Sequence, residues 1–451
     1  TWQEIVHANE DAQANEKPGQ EEVKEIPGET IQVDFSDRVW TKNQLKQMLY
    51  RMLCDYTKRT LPWGNLTGIR PTKIPMKLLE EGKSREEIYR YMKDTYLASD
   101  EKIELATDIA ERENAILKKI DYDNGYSLYI GIPFCPTTCS YCSFTSYPVA
   151  KWQNRMDEYV DALLKELAFI AEVSKEKHLN AIYMGGGTPT TLSAQQMDRV
   201  LSFLEEHFSF EHLKEYTIEA GRPDSITEDK LRVIRKHGVG RISINPQTMQ
   251  QKTLDVIGRR HTVEDVVRIF HLARELGFDN INMDVIVGLP EEDEVDFCNT
   301  MYKIHELDPD SVTVHTLVIK RASRMRREQM ESGGEICPED TLIPIIQKAS
   351  EDILRDYGYL PYYMYRQKNK AGTTRNTNQE NVAYAKPGKE CLYNTLIMEE
   401  WETIAALGSG GSTKYVIHEE NRMERIENVK SVDDYIHRID EMIERKKKLW
   451  H

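Results

Sequence analysis

The chain has 451 residues, 39% hydrophobic and 30% charged. That is an ordinary soluble composition, at a length that predicts two or three domains rather than one core. Acidic residues outnumber basic ones by 75 to 60, a formal charge of −15, which argues against nucleic acid or an anionic membrane as the main partner. No apolar run approaches the ~20 residues of a membrane span, and no signal peptide is visible. The first residue is Thr1 rather than Met, which points to a piece of a longer protein.

Residues 1–30 are polar and acidic, broken by Pro18, Gly19, Pro27 and Gly28. A loosely ordered lead-in is expected there, with one strand over 30–34. Over 41–59, Leu45, Met48, Leu49, Met52 and Leu53 recur at helical spacing and read as a core face. Cys54 reads as a small buried hydrophobe. The Gly/Pro-broken loop 62–73 carries Trp63, Arg70 and Lys73, and is either a solvated turn or an anion-binding loop. Residues 76–120 read as two or three amphipathic helices, so a helical N-terminal region is expected over 1–125.

From Tyr126 the pattern changes. Short β-rich runs at 127–132, 181–184, 216–219, 241–245, 281–287 and 311–316 alternate with stretches long enough for one crossover helix each. Residues 155–173 are an example, with Val160, Leu163, Leu164 and Leu167 on one side. Six such βα units predict an α/β fold with a parallel sheet, a barrel or partial barrel before an open doubly wound sheet. Polar or glycine-rich elements recur at the C-terminal end of strand after strand: the cysteine loop, the run 185–190, Glu219, Gln247, Asp284 and His315. In parallel β/α barrels those ends form one mouth, where active sites are built.

Three of the seven cysteines fall within eight residues, at Cys135, Cys139 and Cys142. Three thiolates on one tight loop can hold three irons of a cubane cluster and leave the fourth iron open. Zinc is the competing ligand, but a structural zinc site wants four closed ligands, usually as two Cys pairs, and a second pair is missing. An odd cysteine count and a motif that needs reduced thiols point to a reducing cytoplasm. An open iron could be chelated by the amino and carboxylate groups of a methionine-type amino acid.

Beyond His315 the chain turns basic, with Lys320, Arg321, Arg324, Arg326 and Arg327. These form a solvated helix face or a bidentate clamp for substrate carboxylates. A helix is expected over 341–357, and the Tyr-rich run 357–365 could line a flat ligand's pocket but reads first as strand packing. Residues 376–390 read as a polar loop and 407–412 as a glycine turn. The tail from 431 reads as a helix whose terminal cations, Arg445 to Lys448, suit its C-terminus. The expected domains are 1–125, 126–335 and an α+β region over 336–451.

The cysteine loop with Tyr129, Ile130, Gly131, Ile132, Pro133 and Phe134 before it, the glycine run, Glu219, Gln247, Arg259 and Asp284 together resemble radical S-adenosylmethionine enzymes. In particular they resemble the oxygen-independent coproporphyrinogen III oxidase (dehydrogenase) family. The N-terminal part, with Leu61-Pro62-Trp63-Gly64 and residues 67–73, is similar to the Gram-positive coproporphyrinogen dehydrogenase branch. The resemblance implies a partial (β/α)6 barrel, a [4Fe-4S] cluster on Cys135, Cys139 and Cys142, and S-adenosylmethionine as cofactor. It implies that Gly186, Gly187 and Thr188 hold the amino-acid end of that cofactor. Glu219, Gln247, Arg259 and Asp284 would bind its ribose and neighbouring polar groups. The catalytic candidates are Tyr129, near the sulfonium, and Arg321, one of several cations able to meet a propionate. The implied reaction converts two propionates of coproporphyrinogen III to vinyl groups by way of a 5′-deoxyadenosyl radical, with an electron donor of flavodoxin or ferredoxin type.

The chain departs from relatives in three places: Gly131 replaces a frequent His, Ser143 and Phe144 follow Cys142 with no further Cys, and Cys391-Leu392-Tyr393-Asn394 replaces a His-containing signature of haem chaperones. A haem-binding chaperone or a different tetrapyrrole-modifying radical enzyme are the rival readings.

Overall fold

The computed structural model describes residues 31, 34–319, 323–327, 342–367, 380–420 and 422–450. The chain divides into two compact units, residues 1–68 with 81–105, and residues 69–80 with 106–451. The strand expected at 30–34 falls mostly outside the described residues, and Ile31 and Asp34 are not in one. Among the described residues no helix is long and apolar enough to cross a membrane.

The smaller unit is helical. Helix Arg85–Tyr96 starts on a capping box in which Ser84 and Glu87 satisfy each other's backbone donors. It ends at Leu97 in the left-handed conformation, φ 55°. Trp63, Ile88 and Met92 are fully buried. Helix Arg38–Thr57 departs from expectation: Leu45, Leu49 and Leu53 are 44%, 45% and 54% exposed, and Cys54 is half-buried. The side it buries carries Gln47, whose Nε2 donates to the carbonyls of Asp94 and Thr95 at 2.7 and 2.9 Å. Those carbonyls lie in the last turn of helix Arg85–Tyr96, where no intrahelical donor reaches them.

The larger unit is built on one eleven-stranded sheet. Its first strand is β1 (Gly125–Ile132). Two short strands, β2 (Phe134–Cys135) and β3 (Tyr147–Pro148), pair with each other around the cysteine loop. Then come β4 (His178–Gly186), β5 (Glu215–Gly221), β6 (Arg241–Ile244), β7 (Ile281–Val287) and β8 (Ser311–Thr316), each preceded by a helix. β9 (Leu360–Arg366), β10 (Glu380–Ala385), β11 (Thr403–Leu407), β12 (Ser412–Ile417) and β13 (Arg422–Glu427) complete the set. The order is β13-β12-β11-β1-β4-β5-β6-β7-β8-β10-β9. The six strands β1 and β4 to β8 are neighbours and all parallel, the expected six-unit arrangement. Helices such as Met156–Val173 bury Val160, Leu163 and Leu167 on the apolar side that the sequence marks.

The later strands join the same sheet. β11 runs parallel to β1, and β10 runs antiparallel to β8. The stretch expected as a polar loop at 376–390 therefore contains β10, all six of whose residues are buried. Its polar side chains have work to do inside: Asn381 Oδ1 accepts from Thr316 N at 2.8 Å. The Tyr-rich run, expected as strand packing, is β9.

The tail is fastened by a buried ion pair. Lys446 and Glu166 are both 0% exposed and 2.5 Å apart. Glu166 also accepts from Asn428 Nδ2 at 2.8 Å, Tyr435 Oη at 2.5 Å and Gly408 N at 2.9 Å. Lys446 also donates to Asn428 Oδ1 at 2.7 Å. Among the cations expected only to complement the helix terminus, Lys446 instead points into the protein. Every charge here is compensated, so removing one partner leaves the other buried and alone. Lys446→Ala is expected to cost about 3–5 kcal/mol in urea unfolding, and the double variant Glu166→Gln/Lys446→Met to cost less than the single one.

Candidate functional site

Because β1 and β4 to β8 are parallel, their C-terminal ends share one edge of the sheet, and a cavity of about 380 Å³ opens there. That lies within the range of small-molecule sites. Its lining includes Cys135, Cys139 and Cys142, Tyr129, Gly186, Gly187 and Thr188, and Glu219, Gln247, Arg259 and Asp284. All the sequence-predicted site residues except Arg321 therefore meet at one mouth, and Arg321 lies outside the described residues.

The cysteine loop is held in place by backbone pairing. Gly187 N donates to Ile132 O at 2.8 Å, and Thr188 N to Phe134 O at 2.7 Å. These bonds continue the β1–β4 ladder past its formal end and set the glycine run beside the loop. A side chain at position 187 would bring a Cβ within 2.5 Å of Phe134 O, and Gly186 has φ +107°, a conformation that L side chains rarely adopt. Thr188 Oγ1 lies 3.5 Å from Cys135 Sγ. Farther along, Ser140 N donates to Ile257 O at 3.1 Å, and Met325 N to Ser140 O at 2.8 Å.

The three thiols differ in electrostatic setting. Burial pushes Cys135 and Cys142 up. Burial pushes Cys139 the same way, but Arg259 and Arg222 beside it outweigh the effect and hold this thiol below its ordinary value. Among the described residues no group of three His, Cys, Asp or Glu side chains is gathered closely enough to hold a metal ion. The three thiols line one cavity wall, and a cluster several ångströms across spans ligands that one ion does not.

Two half-buried carboxyls face the cavity and behave oppositely. Glu219 is pushed up to about 7, chiefly by burial, with the charge of Asp284 adding to it and the Tyr183 hydrogen bond opposing it. Tyr183 Oη donates to Glu219 Oε1 at 2.5 Å. Burial would raise Asp284 too, but His315 and Asn282 reverse the sign and it stays low. Asn282 Nδ2 donates to Asp284 Oδ1 at 2.8 Å, and His315 Nε2 sits at an ion-pair distance of 3.9 Å. Gln247 is held at φ +70° by two bonds to β7, its N–H to Asp284 O and its carbonyl from Ile286 N, both 2.9 Å. A non-glycine residue held there by its surroundings is a mark of functional sites. Arg259 Nη1 donates to Asn245 O at 2.5 Å.

Other readings separate. Arg70 Nη1 and Lys73 Nζ approach Glu400 Oε2 at 2.7 and 3.3 Å, and neither lines the cavity, so these two cations of the loop expected to bind an anion are not at this mouth. Arg324, Arg326 and Arg327 do not line it either. Cys391 is buried at the start of β5, its Sγ 3.3 Å from Glu215 Oε1.

Sequence reading passed over Tyr183 and Arg222, both near the mouth; Tyr365, from the run read as strand packing, lines the cavity. Tyr183 joins a cluster of stacked rings with Tyr129 and Tyr393, whose centroids are 6.3 and 4.4 Å from its own and 6.1 Å from each other. The period-2 alternation of β4 would have placed Tyr183 on the same face as Gly185. Arg222, three residues after Glu219, carried no comparable signal.

A family model described as the radical SAM superfamily matches residues 129–303. The chain is 39% identical over 409 residues to an oxygen-independent coproporphyrinogen-III oxidase-like protein, HemZ, of Bacillus subtilis, covering 90% of this chain and 80% of the relative. It is 34% identical over 195 residues to the heme chaperone HemW of Bacillus subtilis, covering 43% of this chain and 51% of that one. Among solved structures it resembles the coproporphyrinogen III oxidase HemN of Escherichia coli, with a TM-score of 0.57, 23% identity and 73% of each chain covered, a likeness of fold.

Cys135→Ala, Cys139→Ala and Cys142→Ala are each expected to leave the fold intact and to abolish bound iron and the brown absorbance of anaerobically reconstituted protein. Retained cluster absorbance in all three variants would remove them as ligands.

Proposed function

From the premise that the chain belongs to the radical SAM superfamily, among the oxygen-independent coproporphyrinogen-III oxidase-like proteins, we propose that it converts two propionates of coproporphyrinogen III to vinyl groups, giving protoporphyrinogen IX. The observation that carries this reading is the convergence on one cavity of three thiols, a bare glycine edge and two half-buried carboxyls of opposite character.

The residues present fit a cluster and a nucleoside cofactor. Cys135, Cys139 and Cys142 would hold three irons of a [4Fe-4S] cluster. The edge at 186–188 lines the cavity with no side chain at 186 or 187, and would receive the amino-acid end of S-adenosylmethionine. When bound, these groups supply one electron and a 5′-deoxyadenosyl radical able to take a hydrogen atom from a propionate β-carbon. The chain's own residues do the rest by positioning. Tyr183 and the Gly186 N–H donate to Glu219, and the lone pairs that remain on the carboxylate would accept ribose hydroxyls. Asp284, kept ionised by His315 and Asn282, and Gln247 and Arg259 supply further polar contacts. Tyr129, stacked on Tyr183 and Tyr393, closes the floor of the cavity against water. Arg321 stands as the proposed propionate clamp. A flavodoxin- or ferredoxin-type donor and a cytoplasmic setting belong to the same proposal.

The haem-chaperone reading draws on the likeness to HemW. It would use the region of Cys391 and Asn394 for haem, and the burial of Cys391 against Glu215 speaks against that use.

Protein reconstituted anaerobically and supplied with coproporphyrinogen III, S-adenosylmethionine and a reductant is expected to give harderoporphyrinogen and then protoporphyrinogen. Cofactor cleavage without vinyl products would sink the proposal. Stoichiometric haem binding without turnover would favour the chaperone.

Glu219 predicts a pH dependence of cofactor affinity. A ribose hydroxyl needs the ionised carboxylate, and with its pKa at about 7 Glu219 is protonated below that pH and ionised above it. Affinity for S-adenosylmethionine, measured by calorimetry between pH 6 and 8, is expected to rise through pH 7. Glu219→Gln is expected to flatten the profile and weaken binding about tenfold to a hundredfold, the weight of one or two hydrogen bonds to a charged group.

A further inference from the structure

Arg222 is one of the few cations sealed into the wall of the cavity, and none of the roles above uses it. Its side chain is 4% exposed. One edge of the guanidinium is locked to Asp224, Nε to Oδ1 at 2.9 Å and Nη2 to Oδ2 at 2.6 Å. The remaining nitrogen, Nη1, is aimed at the cysteine loop. It donates to Thr137 O at 2.9 Å and to Thr137 Oγ1 at 2.8 Å, and it lies 3.8 Å from Cys139 Sγ. Thr137 Oγ1 in turn donates to Gly258 O at 3.2 Å, so the loop is pinned from two sides.

We infer that Arg222 is a positioning residue that sets the reduction potential of the cluster, by fixing a positive charge and one hydrogen-bond donor against the Cys139 sulfur. Net charge, hydrogen bonds to the sulfurs and solvent exposure are the levers that move cluster potentials. Arg222 acts through the first two. A guanidinium cannot lose its charge in a protein, so its influence is constant across pH. Its bidentate partner makes the geometry rigid and also offsets part of the charge. Two other groups face this sulfur: Arg259, a second buried cation, and the hydroxyl of Tyr141. His261 lies by Arg259 and Arg222 rather than by the sulfur, and burial and Arg259 push it down to about 4, so it adds no charge at neutral pH. Cys135 has a hydroxyl donor, Thr188 Oγ1, rather than a cation. Arg259 also acts on Cys142, but two arginines act together at Cys139.

The inference rests on Cys135, Cys139 and Cys142 being cluster ligands and is independent of which substrate is turned over. The test uses the full chain, reconstituted anaerobically as wild type, Arg222→Gln, Arg222→Lys and Asp224→Asn. Iron and sulfide are counted per chain. The potential is then measured by dithionite titration followed by electron paramagnetic resonance, with neither cofactor nor substrate added. Arg222→Gln is expected to load the cluster and to lower its one-electron reduction equilibrium about tenfold, about 59 mV. Arg222→Lys should recover most of that loss. Asp224→Asn, which removes the offsetting charge, should shift the potential the opposite way. A role confined to loop packing would not produce shifts of opposite sign. A loaded Arg222→Gln cluster at the wild-type potential overturns the inference, as do equal shifts of one sign in Arg222→Gln and Asp224→Asn. Should Arg222→Gln fail to hold a cluster, the other two variants decide: both at the wild-type potential overturns it, and a raised potential in Asp224→Asn upholds it. Loss of product formation with these potentials intact would count against the proposed substrate alone.

Discussion

Two backbone hydrogen bonds organise the mouth of this protein, Gly187 N to Ile132 O and Thr188 N to Phe134 O. They extend the parallel ladder past the end of β4, joining residues 187 and 188 to the end of β1 and the start of β2. The extension decides where the cysteine loop begins and which edge of the glycine run faces the cavity. It also explains the residue types. A Cβ at position 187 would collide with the very carbonyl that Thr188 uses, so that pairing and a side chain there exclude each other. Peptide groups at this depth need partners, and the alternative to the ladder is a pair of buried carbonyls without donors.

The site is then tuned by partners as much as by burial. Glu219 on β5 and Asp284 on β7 flank β6 on one rim and are both pushed up by desolvation, yet one sits near 7 and the other stays low. The difference lies in what touches them. Glu219 has a neutral phenol and a neighbouring anion. Asp284 has an imidazole, an amide and a hydroxyl, all able to donate. The thiols repeat the pattern on a smaller scale, with Cys139 set apart from Cys135 and Cys142 by two arginines. Environments that push like groups apart are the usual way one fold provides both proton-holding and charge-holding positions.

The sequence carried this part of the molecule well, because it is periodic. The six parallel strands announce themselves as short apolar runs between amphipathic helices, and the polar residues that end them must share an edge once the strands are parallel. Elements whose signal depends on tertiary context were lost. β10 reads as a loop because Glu380 and Asn381 look solvated, and only the sheet shows them buried against Thr316. Helix Arg38–Thr57 has the spacing of a core face, but the side it buries is the one carrying Gln47, which two terminal carbonyls required. Arg222 was invisible for a related reason. A lone arginine in a loop reads as solvent-exposed, and its role depends on where the loop from β5 passes relative to the one from β1.

The C-terminal strands bear on the mouth through a chain of contacts. β11 lies directly against β1, and its following turn at Gly408 is bonded to Glu166, which Lys446 neutralises. Tyr159 joins the same knot to the barrel: its hydroxyl donates to Gly131 O at 2.7 Å and accepts from Ser409 N at 3.1 Å. Gly131 is two residues past Tyr129 and four before Cys135. A buried ion pair is a poor source of net stability, because desolvation cancels much of its attraction. Its value here is geometric. It gives the tail a single seat, and through Glu166, Gly408 and Tyr159 that seat bears on the strand that carries Tyr129 and leads into the cysteine loop.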